Sequence, residues 1–280
     1  MGQLDGKVAL VTGASRGIGA EIARLFAAEG AAVAVTARTV EPGQSQFDGS
    51  ITETVDQILA AGGAAVAIAA NLARTEDRRR LVDETVRQLG PVDILINNAA
   101  VTYFEPVIDF DEKHFRLMFE VQVRAPFELA QFVLPSMIER KDGAIVNISS
   151  KGGIHPAGPP YGSRQGGAVY GMVKAALERF TTGLASEVHQ HGIVVNVLSP
   201  TGIVPTPGVM HHQLITPGRE QDVEPESVMA AAALVLAHHD PPLTGRIAYS
   251  QQLLWEVGLG PRPAATSLVS EHPRMHFTGD

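Results

Sequence analysis

A chain of 280 residues with 45% apolar content can bury a full core, as one large α/β domain or as two small ones. Its net charge of -8 excludes the basic field that would favour nucleic acid or an anionic membrane, so neither is expected as a partner. The absence of cysteine removes disulfide frameworks and thiolate nucleophiles or metal sites, and no signal-peptide pattern or run of roughly 18 apolar residues occurs, so a soluble protein of the reducing cytoplasm is expected.

The first predicted strand, Lys7–Thr12, runs into Gly13-x-x-x-Gly17-x-Gly19 and then a helical segment over Ile18–Ala28. Glycines at such a turn let the backbone approach a pyrophosphate, and the amides of the following helix supply donors, so Gly13, Ser15, Arg16, Gly17, Ile18 and Gly19 are candidate cofactor contacts. The second strand, Ala32–Ala37, ends at Arg38 with no carboxylate for the ribose hydroxyls. With Arg16 as a second partner for a 2′-phosphate, NADP(H) is preferred, NAD(H) remaining possible. A loop over 39–49 and a helix over 51–61 follow, then a strand over 65–70 that leads to Asn71 and Leu72.

A helix over 76–89 begins with the charge run "EDRRR", which reads as a solvated face. Next come a strand over 94–97, one long helix over 112–138 and a strand over 144–149 that ends at Ser149 and Ser150. Loops over 152–169 and 200–222 flank a helix over 170–189 and a strand over 194–198. A helix over 228–237 and a last apolar run at 246–249 complete the pattern. Short apolar strands joined by helices make a parallel sheet, so the expected class is a doubly wound α/β structure with helices on both faces. Residues 1–260 form the expected domain; the aperiodic tail 261–280 is read as mobile or as a subunit contact. The pairs His211-His212 and His238-His239 point apart within regular structure, so no metal site is expected.

Thr12–Gly19, "NNAA" at 97–100, "IVNISS" at 145–150, Tyr170-x-x-x-Lys174 and "VNVLSP" at 195–200 together resemble the short-chain dehydrogenase/reductase family, in the same order. The resemblance implies a single-domain Rossmann fold, a nicotinamide cofactor, and catalytic Ser, Tyr, Lys and Asn. It implies that Asn97 steadies the sheet, that Asn98 contacts the cofactor, and that Asn71, with Leu72 beside it, stands where many relatives carry an adenine-contacting Asp. It also implies that Pro200, Ile203 and Thr206 line the nicotinamide if Thr201 is a one-residue insertion. Val101, directly after "NNAA", is expected on the substrate side. Gln122 stands where many relatives carry the asparagine of a proton relay, and "YSQQLL" stands where many carry Asp-Gly-Gly.

Two tyrosines compete for the acid. Tyr170 has an ammonium four residues on at Lys174, sharing a helix face, and an ammonium favours the phenolate. Tyr161 is bracketed by Pro and Gly and has only neutral Gln165 at that spacing, so Tyr170 is the candidate and Tyr161 a substrate-pocket, interface or surface residue. Ser150 is the candidate for polarising the substrate oxygen, with Ser149 the alternative. The expected function is NADP(H)-dependent interconversion of a carbonyl and its alcohol in a homodimer or homotetramer; the alternatives are a non-redox relative (dehydratase or epimerase) and a catalytically silent regulator.

Overall fold

Every residue of Val8–Thr12 is buried, and the apolar side chains alternate between two sides: Ala9 and Val11 pack with one core cluster, Leu10 with another. The same alternation runs through Val33, Ala34 and Val35 and through Ile94, Leu95 and Ile96. A strand apolar on both faces must be covered on both faces, which is the condition for a parallel sheet between helical layers. The computed structural model describes residues 2–156, 166–215, 218 and 222–264. Its strands are β1 (Val8–Thr12), β2 (Ala32–Ala37), β3 (Ala64–Ala69), β4 (Ile94–Asn97), β5 (Gly143–Ile148), β6 (Ile193–Ser199) and β7 (Ile247–Tyr249). They form one sheet in the Rossmann order β3-β2-β1-β4-β5-β6-β7, each neighbouring pair parallel.

Helices α1 (Gly17–Ala28), α2 (Ile51–Ala60) and α8 (Glu226–Ala237) cover one face, with Ile22, Phe26, Ile58 and Met229 among the buried contacts. Helices α3 (Thr75–Leu89), α5 (Ala125–Arg140) and α6 (Ala168–Val188) cover the other, through Leu81, Leu129, Met137 and Leu184. The connections reverse direction between β1 and β4. The loops leaving the carboxyl ends of those two strands therefore part and leave a crevice, where an open α/β sheet binds ligand. No helix among the described residues is long and apolar enough to cross a membrane.

Two local departures shape that crevice. The long helix read over 112–138 is broken into α4 (Glu112–Phe119), a π-helical turn at Glu120–Arg124, and α5. Pro126 has no N–H to offer the carbonyl of Gln122 one turn back, and the ladder lengthens, the Ala125 amide donating to Glu120 O. The second departure is Arg78, which is fully buried rather than on a solvated face. Its guanidinium donates to Glu128 Oε2 at 2.8 Å, Leu72 O at 2.6 Å, Glu120 Oε2 at 3.2 Å and Thr75 Oγ1 at 2.7 Å. One side chain thus ties α3, α5, the π turn and the loop after β3 together.

Candidate active site

A cavity of about 2270 Å³ runs along the carboxyl edge of the sheet, from the glycine turn after β1 to Tyr170 on α6. At the first end, Gly17 has a φ of +55°, which favours glycine, and a Cβ at Gly19 would stand 2.3 Å from Asn98 Nδ2 and 2.4 Å from Gly13 O. No side chain caps the start of α1, and no acidic residue stands in its first turn. The first-turn amides and the positive end of the helix dipole are therefore available to an anion.

Arg16 is held beside this turn by Ser15 Oγ at 3.3 Å, Ser45 Oγ at 3.2 Å, Thr39 Oγ1 at 3.1 Å and Gly49 O at 2.8 Å. Burial lowers its affinity for a proton, Asp48 opposes that, and the nearby Arg38 cation adds to it. Two guanidiniums brought together at one rim, Arg38 exposed, form a place for a multiply charged anion. Asn71 and Leu72 line the same end; Asn71 Oδ1 accepts from the Ala73 amide at 3.1 Å. Buried Thr36 Oγ1, also on the wall, has no hydrogen-bond partner among the described residues. These features fit a dinucleotide phosphate.

Asn98 lines the cavity, but its Nδ2 donates to Thr12 O at 2.9 Å and Gly13 O at 3.0 Å, so its carboxamide braces the glycine turn. Asn97 Nδ2 donates to Asn147 Oδ1 at 2.8 Å, and Asn147 Nδ2 to Thr181 Oγ1 at 2.8 Å, linking β4, β5 and α6.

At the other end β5 delivers two serines with different surroundings. Ser149 is buried and donates its hydroxyl to Glu178 Oε1 at 2.7 Å. Ser150 is partly exposed on the wall, its Oγ accepting from Gly152 N at 3.1 Å in the short turn that follows. Tyr170 is partly buried in the first turns of α6, and Lys174, one turn on, is only 4% exposed. The Lys174 ammonium donates to Ile148 O at 3.0 Å and lies 5.8 Å from the Tyr170 ring centroid. Burial brings it down to about 8, against the opposing charge of Glu178. Gln122, buried in the π turn, donates Nε2 to Val101 O at 2.7 Å, while its Oε1 has no partner among the described residues. Tyr161 lies outside the described residues.

Pro200, Ile203 and Thr206 line the cavity, and the segment that carries them is fastened from behind. Thr201 is buried; its amide donates to Glu224 Oε1 at 3.1 Å and Ser250 Oγ at 2.9 Å. Ser250 and Gln251, from the "YSQQLL" stretch, close on the same carboxylate at 2.7 Å each. Ile203 N donates to Asp222 O at 2.6 Å and Ile203 O accepts from Glu224 N at 3.0 Å, a one-residue bridge, so this residue offers the cavity chiefly its side chain. The loop read over 200–222 also contains a short helix, α7 (Pro207–His211), capped by Thr206 Oγ1.

Rings span the mouth: Phe47 to His211 at 5.4 Å, His211 to His212 at 5.1 Å, His212 to Phe104 at 5.2 Å and Phe104 to Tyr170 at 5.3 Å. Burial, and then His211, make His212 harder to protonate, against a hydrogen bond from its ring to the Thr102 backbone. Residues 261–264, read as the start of the tail, also line the mouth, with the Arg262 guanidinium 5.3 Å from the Trp255 ring. The sequence reading missed the Glu224 clamp, α7, the last helix α9 (Ser250–Glu256) and Glu178. For helix starts a local signal existed: the S-x-x-E at Ser50–Glu53 caps α2, and Asp111 caps α4.

The family model for short chain dehydrogenases matches residues 7–213. A short chain dehydrogenase of Pseudocercospora fijiensis is 38% identical over 72% of this chain, although the match spans only 61% of that relative. Oxidoreductase UcpA of Salmonella typhimurium is 34% identical over 89% of this chain and 88% of its own. A metagenomic short-chain oxidoreductase solved in complex with NADP superposes with a TM-score of 0.72 at 30% identity, covering 88% of this chain and 97% of that one. The chain belongs to the short-chain dehydrogenase/reductase family, a class of oxidoreductases.

Proposed function

We propose that the chain is an NADP(H)-dependent oxidoreductase interconverting a ketone or aldehyde and the corresponding alcohol. The observation that carries this reading is the buried Lys174 ammonium one helical turn from the partly exposed Tyr170 at the cavity wall. A free phenol titrates near ~10 and exchanges protons slowly at neutrality; an adjacent cation favours its ionised form. Bound NADPH supplies the hydride that the carbonyl carbon accepts. Ser150 donates a hydrogen bond to the substrate oxygen, Tyr170 passes its phenolic proton to that oxygen, and Lys174 stabilises the phenolate left behind. Gln122, fixed through Nε2 on Val101, presents an acceptor for a water that returns the proton to the site.

The glycine turn and the start of α1 hold the pyrophosphate in this reading, Asn71 and Leu72 the adenine end, and Arg16 and Arg38 the 2′-phosphate. Arg16→Ala is expected to lower kcat/KM for NADPH by ten- to a hundred-fold, the about 1.5–3 kcal/mol of a charge-assisted contact, and to change NADH far less. The ratio of the two coenzymes is the readout, and an unchanged ratio would refute the phosphate assignment. Apolar Val101, Phe104, Ile154, Val209 and Leu214 around the mouth suit a substrate with an apolar body.

The test is NADPH oxidation over aliphatic, aromatic and steroid-like carbonyls, with the alcohol identified as product. Turnover with an apolar ketone supports the reading; tight NADPH binding with no carbonyl reduced, or product formed without net coenzyme turnover, overturns it. A homo-oligomer built on α5 and α6, where Phe127 and Met172 are exposed, is expected by light scattering.

A further inference from the structure

Beyond Tyr170 and Lys174, α6 carries a third polar residue on the same face, Glu178, one turn past the lysine. It is 7% exposed, and a carboxylate so buried requires compensating partners. Its Oε1 accepts the Ser149 hydroxyl at 2.7 Å. Gly153, in the turn after Ser150, closes the other side: a Cβ there would stand 2.7 Å from Oε1 and 3.1 Å from Oε2. Among the described residues, Lys174 on α6 and Tyr249 on β7 feel its charge, and Lys151 belongs to the turn packed against α6. Tyr249 registers the same charge, its phenol pushed up to about 12 by burial first and Glu178 second.

We propose that Glu178 is a positioning residue of this site: its buried carboxylate is the counter-charge of the Lys174 ammonium and, through the Ser149 hydroxyl, anchors the strand end that presents Ser150. The bearing on turnover rests on the redox reading above; the charge pairing does not. Removing the negative charge makes the ammonium easier to deprotonate and the Tyr170 phenol easier to ionise. Both titrations therefore move to lower pH. In the reducing direction, which needs a protonated phenol, the alkaline limb of kcat/KM falls at lower pH; in the oxidising direction the acid limb moves the same way.

The test needs no substrate for its first arm. The lysines of the chain are Lys7, Lys113, Lys141, Lys151 and Lys174, so ε-13C-lysine labelling gives a spectrum in which Lys174 can be assigned by its loss in Lys174→Met. Glu178→Gln keeps an acceptor for Ser149 and removes the charge; it is expected to lower the Lys174 midpoint by about one pH unit. Glu178→Asp and Ser149→Ala keep the charge and are expected to leave the midpoint within about 0.3 unit of the native protein, on the same reasoning. An unmoved midpoint in Glu178→Gln overturns the proposal, as does an equal shift in Ser149→Ala. The second arm is the pH profile of NADPH-dependent reduction, whose alkaline limb should move down in Glu178→Gln alone. A moved midpoint in a protein that reduces no carbonyl leaves Glu178 standing and removes the redox reading; turnover with an unmoved midpoint does the reverse.

Discussion

Replacing Tyr170 by Phe is expected to lower kcat for carbonyl reduction by 10²–10⁴-fold while leaving NADPH binding within a few-fold of native, as read by coenzyme fluorescence titration and steady-state turnover. The substitution removes one oxygen atom and no apolar surface. The ring contact with Phe104, at 5.3 Å, and the packing against Gly152, where a Cβ would stand 2.8 Å from Tyr170 Cε1, are kept. What is lost is the proton donor. Lys174 remains buried, so the fold and its donation to Ile148 O should survive, and thermal stability is the control. Turnover retained within ten-fold would move the acid elsewhere, Tyr161 being the first residue to try.

The largest expected effect on stability belongs to Arg78→Ala. The guanidinium has no solvent to fall back on, and Glu128, with a side chain only 10% exposed, would lose one of its two arginine partners and be left buried beside a void. Breaking a buried ion pair by deleting one partner costs about 3–5 kcal/mol. For a domain of this size that corresponds to a fall in Tm on the order of 10 °C. Because Arg78 also holds Leu72 O on the cavity wall and Glu120 in the π turn, NADPH affinity should fall along with stability. Arg78→Met with Glu128→Gln removes both charges and should recover much of the loss, since an apolar replacement of a complete pair is often neutral. Equal melting temperatures for native and Arg78→Ala proteins would show that the network contributes little.

The sheet was legible because its strands carry apolar side chains on both faces, a pattern that few other structures tolerate, and the glycine turn because its spacing follows directly on a strand. Tyr170 and Lys174 were legible through a spacing of four. The π turn was not, since the apolar period of α4 and α5 continues across it with only one residue's slip, and Pro126 reads equally well as the start of a helix. Arg78 and Glu178 were hidden by chemistry: a charged residue in a helix reads as solvated, and nothing local distinguishes the few whose partners come from other elements. The burial of Thr201 was equally hidden, since its partners Glu224 and Ser250 lie 23 and 49 positions away.

That clamp has a consequence for how such an enzyme could be altered. The Ile203–Val223 bridge and the Glu224 carboxylate fasten both ends of the excursion to the frame, so the segment that joins them leaves and returns at fixed points. Lengthening such a loop costs little, about 0.6 kcal/mol per doubling. Segments of foreign length and composition could be spliced between Leu214 and Asp222, beyond Thr206 and the His211–His212 ring pair, leaving selectivity exchangeable as a cassette while those residues keep their contacts.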